Sequence, residues 1–349
     1  LIYVMLLPMR FGRFMCWKGW LFLPVFLSLA CGGPSVEQGA QCHDNIDNDG
    51  DGLIDCGDAD CLVDGECDPA DQPDFCVDCW GESTGWTKVV TGNDTSCGLH
   101  ESGEIVCWGE SGDGQTDVPS GVYTDLATAG SHSCGLLDSG AITCWGENTY
   151  GKASPPDGDF VEVAVGKFHG CGLNTAGEAI CWGLGSAGNL NPPEGPLHGI
   201  TSGFDHTCAL NADDEVLCWG TSEEGKTIPP EGRFSQISGG GAHTCAVSME
   251  GVLQCWGANM FGQTDAPETG VFVQASAGAA HSCGRDESGA LSCFGLDGFD
   301  TDPENWTPVA SPEGSFIDVA AGELNSCAVA SDTRILCWGD NLNGQSSPP

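Results

Sequence analysis

Between residues 97 and 107, apolar and polar side chains alternate about a short polar centre, Glu101-Ser102-Gly103. Cys97 and Leu99 lie ahead of it, Ile105 and Cys107 behind it. Side chains two apart on a strand share a face, so the segment predicts a hairpin with Cys97 opposite Cys107 and Leu99 opposite Ile105. Gly103 supplies the positive φ of a three-residue hairpin loop, and Gly140, Gly177, Gly251 and Gly289 hold the same place further on. The alternation returns with Leu136 and Ile142, Leu210 and Val216, Val247 and Leu253, and Val329 and Ile335. Ahead of each hairpin, an apolar run such as 86–92, 160–166 or 316–322 predicts a third strand. After it come polar turns such as Gly114-Gln115, Gly262-Gln263 and Gly344-Gln345, often followed by prolines.

This unit recurs. Cys-Trp-Gly stands at Cys107, Cys144, Cys181, Cys218, Cys255 and Cys337, with Cys293-Phe294-Gly295 as a seventh copy. Successive copies are 37, 37, 37, 37, 38 and 44 residues apart. Ten residues before each lies a partner: Cys97, Cys134, Cys171, Cys208, Cys245, Cys283 and Cys327. A cross-strand pair meets the Cα separation of a disulfide, and each short loop closed contributes about 2–3 kcal/mol. Three short strands cannot bury a face alone, so the units must stack. Closing seven in a ring shields the exposed edges. The expectation is an all-β, seven-bladed propeller of three- to four-stranded blades over residues 85–349.

The N-terminal quarter reads differently. Arg10, Arg13 and Lys18 precede an apolar stretch from Trp20 to Ala30, which is short for a membrane span and fits an export signal over residues 1–30. It ends in Leu-Ser-Leu-Ala-Cys31-Gly-Gly, a relaxed form of a bacterial lipoprotein cleavage site. Cys31 is therefore the expected lipidation site, with residues 31–41 as tether, and the expected setting is a bacterial outer-membrane lipoprotein or a secreted protein. The formal charge is −40, and the expected signal takes three of the ten basic residues with it. No basic patch exists to neutralise phosphates, which excludes a nucleic-acid partner and leaves only a lipid anchor for membrane contact. Apart from Cys16 and Cys31, the cysteines of an exported chain read as a disulfide framework.

The run Ala129-Gly-Ser-His-Ser-Cys-Gly-Leu-Leu-Asp-Ser-Gly-Ala-Ile-Thr-Cys-Trp-Gly146 resembles the regulator of chromosome condensation repeat family. That resemblance implies a seven-bladed propeller whose loops bind another macromolecule. These units are shorter than the eukaryotic ones and bear paired cysteines, so nucleotide exchange is not carried over.

Residues 42–84 are rich in Asp and Cys. With Asp47 as the first position of a calcium loop, Asp49, Asp51, the Leu53 carbonyl, Asp55 and Asp58 fall at ligand positions, and Gly52 at the sharp turn. Calcium is the expected cofactor. Cys42, Cys56, Cys61, Cys67, Cys76 and Cys79 allow 15 pairings, all open. Cys79-Trp80-Gly81 echoes the repeat, either as a relic or as a strand that helps close the ring.

His132, His169, His206, His243 and His281 recur two residues before a blade's first cysteine, with Thr95 and Asn325 in the outer units. A residue repeated in every unit reads as an inter-blade bond rather than a catalytic group, and the repeated tryptophans as packing. No convergent nucleophile, base and oxyanion set stands out, so no enzyme is expected. The sixth unit breaks the pattern: Phe294 replaces Trp, and an acidic insertion carries Phe299 and Trp306, the expected partner-binding anchors. The function expected is a monomeric, envelope-anchored or secreted binding module for a protein or glycan, on a calcium-binding stalk. A secreted hydrolase or lyase using the propeller face, or a purely structural envelope protein, are the alternatives.

Overall fold

The computed structural model describes residues 75–81, 83–186, 188–296 and 309–349. Strand β1 (Phe75–Trp80) precedes seven blades. The first is β2 (Trp86–Thr91), β3 (Thr95–His100) and β4 (Ile105–Gly109); the second is β5 (Tyr123–Ala129), β6 (His132–Leu137) and β7 (Ile142–Gly146). The third is β8 (Phe160–Val165), β9 (His169–Asn174) and β10 (Ala179–Gly183); the fourth is β11 (Leu197–Ser202), β12 (His206–Asn211) and β13 (Val216–Gly220). The fifth is β14 (Phe234–Gly239), β15 (His243–Ser248) and β16 (Leu253–Gly257); the sixth is β17 (Phe272–Ala277), β18 (His281–Asp286) and β19 (Leu291–Gly295). The seventh is β20 (Phe316–Ala321), β21 (Asn325–Ala330) and β22 (Ile335–Asp340).

Each blade is antiparallel, and the register is the one the alternation predicts: Cys97 faces Cys107 and Leu99 faces Ile105, with the same pairs in later blades. All seven cross-strand disulfides form across Cα separations of 4.0 Å. Six sheets have three strands, and the seventh has four, because β1 pairs with β22 and sets Cys79 beside Cys337. The echo of the repeat around residue 79 is thus a strand that closes the ring. Velcro of this kind gives the last blade an outer edge from the far end of the repeat array.

The core lies between blades. The first residue of each inner strand, such as Tyr123, Phe160, Phe234, Phe272 or Phe316, is buried against its own middle strand and the preceding blade. Gly98, Gly135, Gly172 and Gly284 on middle strands make room: a Cβ at Gly135 would come within 2.5 Å of the Tyr123 ring. Glycine at these places buys close contact between a flat aromatic and the backbone.

Chain direction defines two faces. The tip of each hairpin accepts the N–H that starts the next inner strand, as in Tyr123 to Gly103 (2.8 Å) and Phe160 to Gly140 (2.7 Å), and Trp86 to Thr333 (3.1 Å) completes the circle. This is the hairpin face. On the opposite, turn face, each outer strand's exit donates to the inner turn of its own blade, as in Glu110 to Asp94 (2.7 Å) and Glu147 to Ser131 (2.9 Å).

Candidate functional site

The recurrent polar residues are spent on joining blades. His169 Nε2 lies 2.7 Å from Thr207 Oγ1 in the next blade, His206 Nε2 2.9 Å from Thr244 Oγ1, His243 Nε2 2.7 Å from Ser282 Oγ, and His281 Nε2 2.7 Å from Ser326 Oγ. Asn325 takes over in the seventh blade, its Nδ2 donating to Ser96 Oγ at 3.1 Å. Thr95 instead donates to the Glu110 carbonyl of its own blade. His132 has no hydroxyl to meet, because the next blade carries Gly170, where a Cβ would lie 2.5 Å from the Trp182 ring. Burial pushes all five imidazoles down: His132, with Lys152 adding to the effect, and His243 to about 3, and His169, His206 and His281 to about 4. They are neutral at pH 7. Locked neutral rings bonded to hydroxyls are struts, not acid–base groups.

The tryptophans form a second set of struts. Nε1 of Trp145, Trp182, Trp219 and Trp256 donates to the carbonyl of Gln115, Lys152, Asn189 and Lys226, which sit in the exit turn of the preceding blade, at 2.9–3.0 Å. Trp108 donates to Gln345 at 2.9 Å and joins the first blade to the last. In the sixth blade, where Phe294 has no N–H, Ser282 Oγ donates to the Gln263 carbonyl at 2.9 Å. The turn residues are themselves buried. Where the turn carries lysine, a carboxylate on the turn face accepts it: Lys152 reaches Glu147 at 2.5 Å and Lys226 reaches Asp205 at 2.7 Å. Hydrogen bonds from Lys152, Ser131 and Thr149 hold Glu147 down at about 2.

A third ring faces the central channel. The third residue of the inner strand reaches the next blade: Asp318 accepts from Val89 N at 2.8 Å, Glu162 from Ile200 N at 2.9 Å, and Gln236 from Ala275 N at 2.8 Å. Burial pushes the Asp318 carboxyl up. Gly199 holds this position in the fourth blade, with φ +60°, and leaves a notch bounded by His198, Leu210 and Ser235. The channel encloses about 420 Å³. At the turn face, residues of non-adjacent blades meet across it: Lys167 Nζ lies 3.4 Å from Glu323 Oε2 and 4.3 Å from the centroid of the Phe204 ring. Beside this bridge a cleft of about 230 Å³ is lined by Asp94, Glu147, Lys152 and Phe168.

Cys31, Asp47, Asp49, Asp51, Leu53, Asp55, Asp58, Phe299 and Trp306 lie outside the described residues. The ends of the sixth-blade insertion are described and adjacent, with Val309 N donating to the Gly295 carbonyl at 3.2 Å, so the segment between them departs from and returns to the turn face. Among the described residues no three His, Cys, Asp or Glu side chains gather as a metal site. The channel-facing clasp was missed in the sequence. Its signal was a polar residue, Lys88, Asp125, Glu162, Gln236, Gln274 or Asp318, on the third place of an otherwise apolar strand. The Lys167–Glu323 bridge has no sequence signal, because the pair is 156 residues apart.

The regulator of chromosome condensation (RCC1) repeat model matches residues 86–115, 124–152, 198–226 and 316–345, which fall in blades one, two, four and seven. The CRINKLY WD40 ectodomain of the Arabidopsis thaliana receptor kinase ACR4 is similar in structure, with a TM-score of 0.61 and 27% identity over 78% of this chain and 99% of that one. The entire ectodomain of the Physcomitrella patens receptor kinase CR4 gives a TM-score of 0.59 and 26% identity over 75% of this chain and 74% of that one. Prp20p from Saccharomyces cerevisiae, described with its binding to Gsp1p and histones, shares the fold at a TM-score of 0.57 and 17% identity over 72% and 81% of the chains. No curated protein sequence matches the chain. The chain is thus a seven-bladed propeller with RCC1-like repeats, and its disulfides point to an extracellular setting.

Proposed function

We propose that this chain is an extracellular, non-catalytic binding module that recognises a protein or glycan partner, tethered through an acylated Cys31 and carried on a calcium-binding segment that includes Asp47, Asp49, Asp51, Asp55 and Asp58. One observation carries the reading. Four of the five recurrent histidines and five of the six recurrent indole N–H groups are used in inter-blade bonds, and the exceptions, His132 and Trp338, are buried, which leaves the faces and loops for function. The two ectodomain relatives support a role in recognition outside the cell by analogy of scaffold. Phe299 and Trp306 are the proposed anchors, because their insertion breaks the repeat on the turn face, where its two ends meet.

The experiment is affinity capture from envelope and culture extracts on immobilised residues 32–349, in calcium and then in chelator, beside the Phe299→Ala/Trp306→Ala variant. One near-stoichiometric protein or glycan, lost with the variant, is the expected result. Release by chelator assigns calcium a part in binding. Equal capture by the variant removes the two aromatics from the proposal, and turnover of a captured substrate removes the non-catalytic reading.

A further inference from the structure

The hairpin face carries an apolar ridge that the fold does not use. Val252 on the fifth blade's tip adjoins Val271, which lies so close that a Cβ at Gly251 would sit 2.6 Å from its Cγ1. Val273 follows on β17, and Ile317 is its counterpart on β20, the neighbouring inner strand. The four are 47%, 49%, 42% and 43% exposed, although each is large and apolar. The first, second, fourth and fifth blades carry Thr87, Thr124, His198 and Ser235 at the same place and the third carries Val161, so apolar exposure there is not demanded by the repeat, and it falls on adjacent blades only in the sixth and seventh. The ridge runs from the rim to the mouth of the central channel.

That channel is a blind well. Lys167, Phe204 and Glu323 bridge it at the turn face, while the notch left by Gly199 widens it toward the hairpin face. Its walls combine apolar side chains and hydroxyls of the inner strands, such as Ile200, Ile237, Ser238, Ala275 and Val319, with the polar clasp residues Lys88, Gln236, Gln274 and Asp318. A volume of about 420 Å³ is at the low end for a small-ligand pocket, and holds one or two side chains of a protruding segment. The rim around it is acidic: the hairpin tips carry Glu101, Glu104, Asp138, Glu178, Glu250 and Glu287, and the exposed arginines of this face, Arg233 and Arg334, are each paired with a carboxylate, Asp214 and Asp332. A partly apolar well inside a carboxylate rim, on a chain of net charge −40, selects a cationic partner by steering it and rejecting anionic competitors.

We propose that the hairpin face is a second interaction surface, which takes a basic protein segment and receives one of its apolar side chains in the blind well. It is built from described residues alone, none of them in the sixth-blade insertion, so it is independent of Phe299 and Trp306.

The test uses three synthetic 12-residue peptides as probes, titrated by calorimetry onto the folded chain: one with lysines flanking a central phenylalanine, one with that phenylalanine replaced by alanine, and one with glutamates in place of the lysines. The expected order is lysine–phenylalanine first, with each other peptide weaker by about tenfold or more. Val273→Ser/Ile317→Ser lowers the affinity of the first peptide by about tenfold, and Ser235→Trp, at the exposed mouth, does the same by narrowing the well. Phe299→Ala/Trp306→Ala leaves it unchanged. Thermal unfolding of each variant within a few degrees of the parent shows that the loss is local. Equal affinity for lysine and glutamate peptides, no dependence on the central phenylalanine, or no binding of any peptide overturns the proposal. So does self-association of the chain that Val273→Ser/Ile317→Ser abolishes, which would make a second copy the occupant.

Discussion

His243 and His132 occupy the same place in two blades and make opposite contributions. His243 is bonded to Ser282, whereas both ring nitrogens of His132 are buried without a partner among the described residues. Leaving a buried polar group unsatisfied costs about 1–3 kcal/mol, so an apolar replacement relieves one site and harms the other. Urea unfolding should show His243→Leu destabilised by about 1–3 kcal/mol and His132→Leu unchanged or more stable. If both lose the same amount, the inter-blade bond is not what stabilises the histidine ring. The lowered pKa values set the pH dependence. Folded imidazoles near 3–4 against an ordinary 6.5 mean that the unfolded chain binds more protons between those values, so stability falls as pH drops from about 6.5 toward 4. Each histidine costs about 2 kcal/mol at pH 5. Asp318, raised by burial, acts in the opposite sense and offsets part of the loss at the acid end. A melting temperature that is flat from pH 7 to pH 5 would contradict the neutral, buried ring.

At the scale of the element, six of the seven hairpins end in an outer strand that pairs with no further strand among the described residues, and the seventh is covered by β1. The outer cysteines follow suit: Cys107, Cys144, Cys181, Cys218, Cys255 and Cys293 are half-buried, and Cys337 is fully buried. Access controls thiol–disulfide exchange, so a mild reductant should open the other six bridges before Cys327–Cys337, as read by alkylation and mass spectrometry. Reduction of Cys327–Cys337 among the first would mean that β1 does not protect that blade in solution. The hairpins, their register and their bridges were legible in the sequence, because the two-residue period and the ten-residue spacing are local and repeat seven times. The β-bulge early in most inner strands, as between Trp86 and Lys88, was not legible, since it answers to the neighbouring blade that the third residue must reach.

For the whole molecule, ring closure rests on contacts between chain ends. β1 pairs with β22, Trp108 Nε1 and Ser96 Oγ both donate to the Gln345 carbonyl, at 2.9 and 2.8 Å, and Gly85 N donates to Thr333 Oγ1 at 2.9 Å. A chain beginning at residue 83 therefore loses one side of the closure while keeping all seven repeats. Its melting temperature should fall by several degrees, and Cys327–Cys337 should become as reducible as the other bridges. Unchanged stability would show that the hydrogen bonds between the first and last blades suffice.

Repeat number, blade register, the disulfide pairs and the all-β class were determined by the sequence alone, because each depends on residues within one 37-residue unit whose pattern is printed again and again. That the echo at Cys79 is a closing strand, that the histidines and tryptophans serve the next blade, and that the channel is stopped by Lys167 and Glu323 were decided only in the tertiary structure. These contacts join positions 30 to 258 residues apart, and no local period encodes which of them meet.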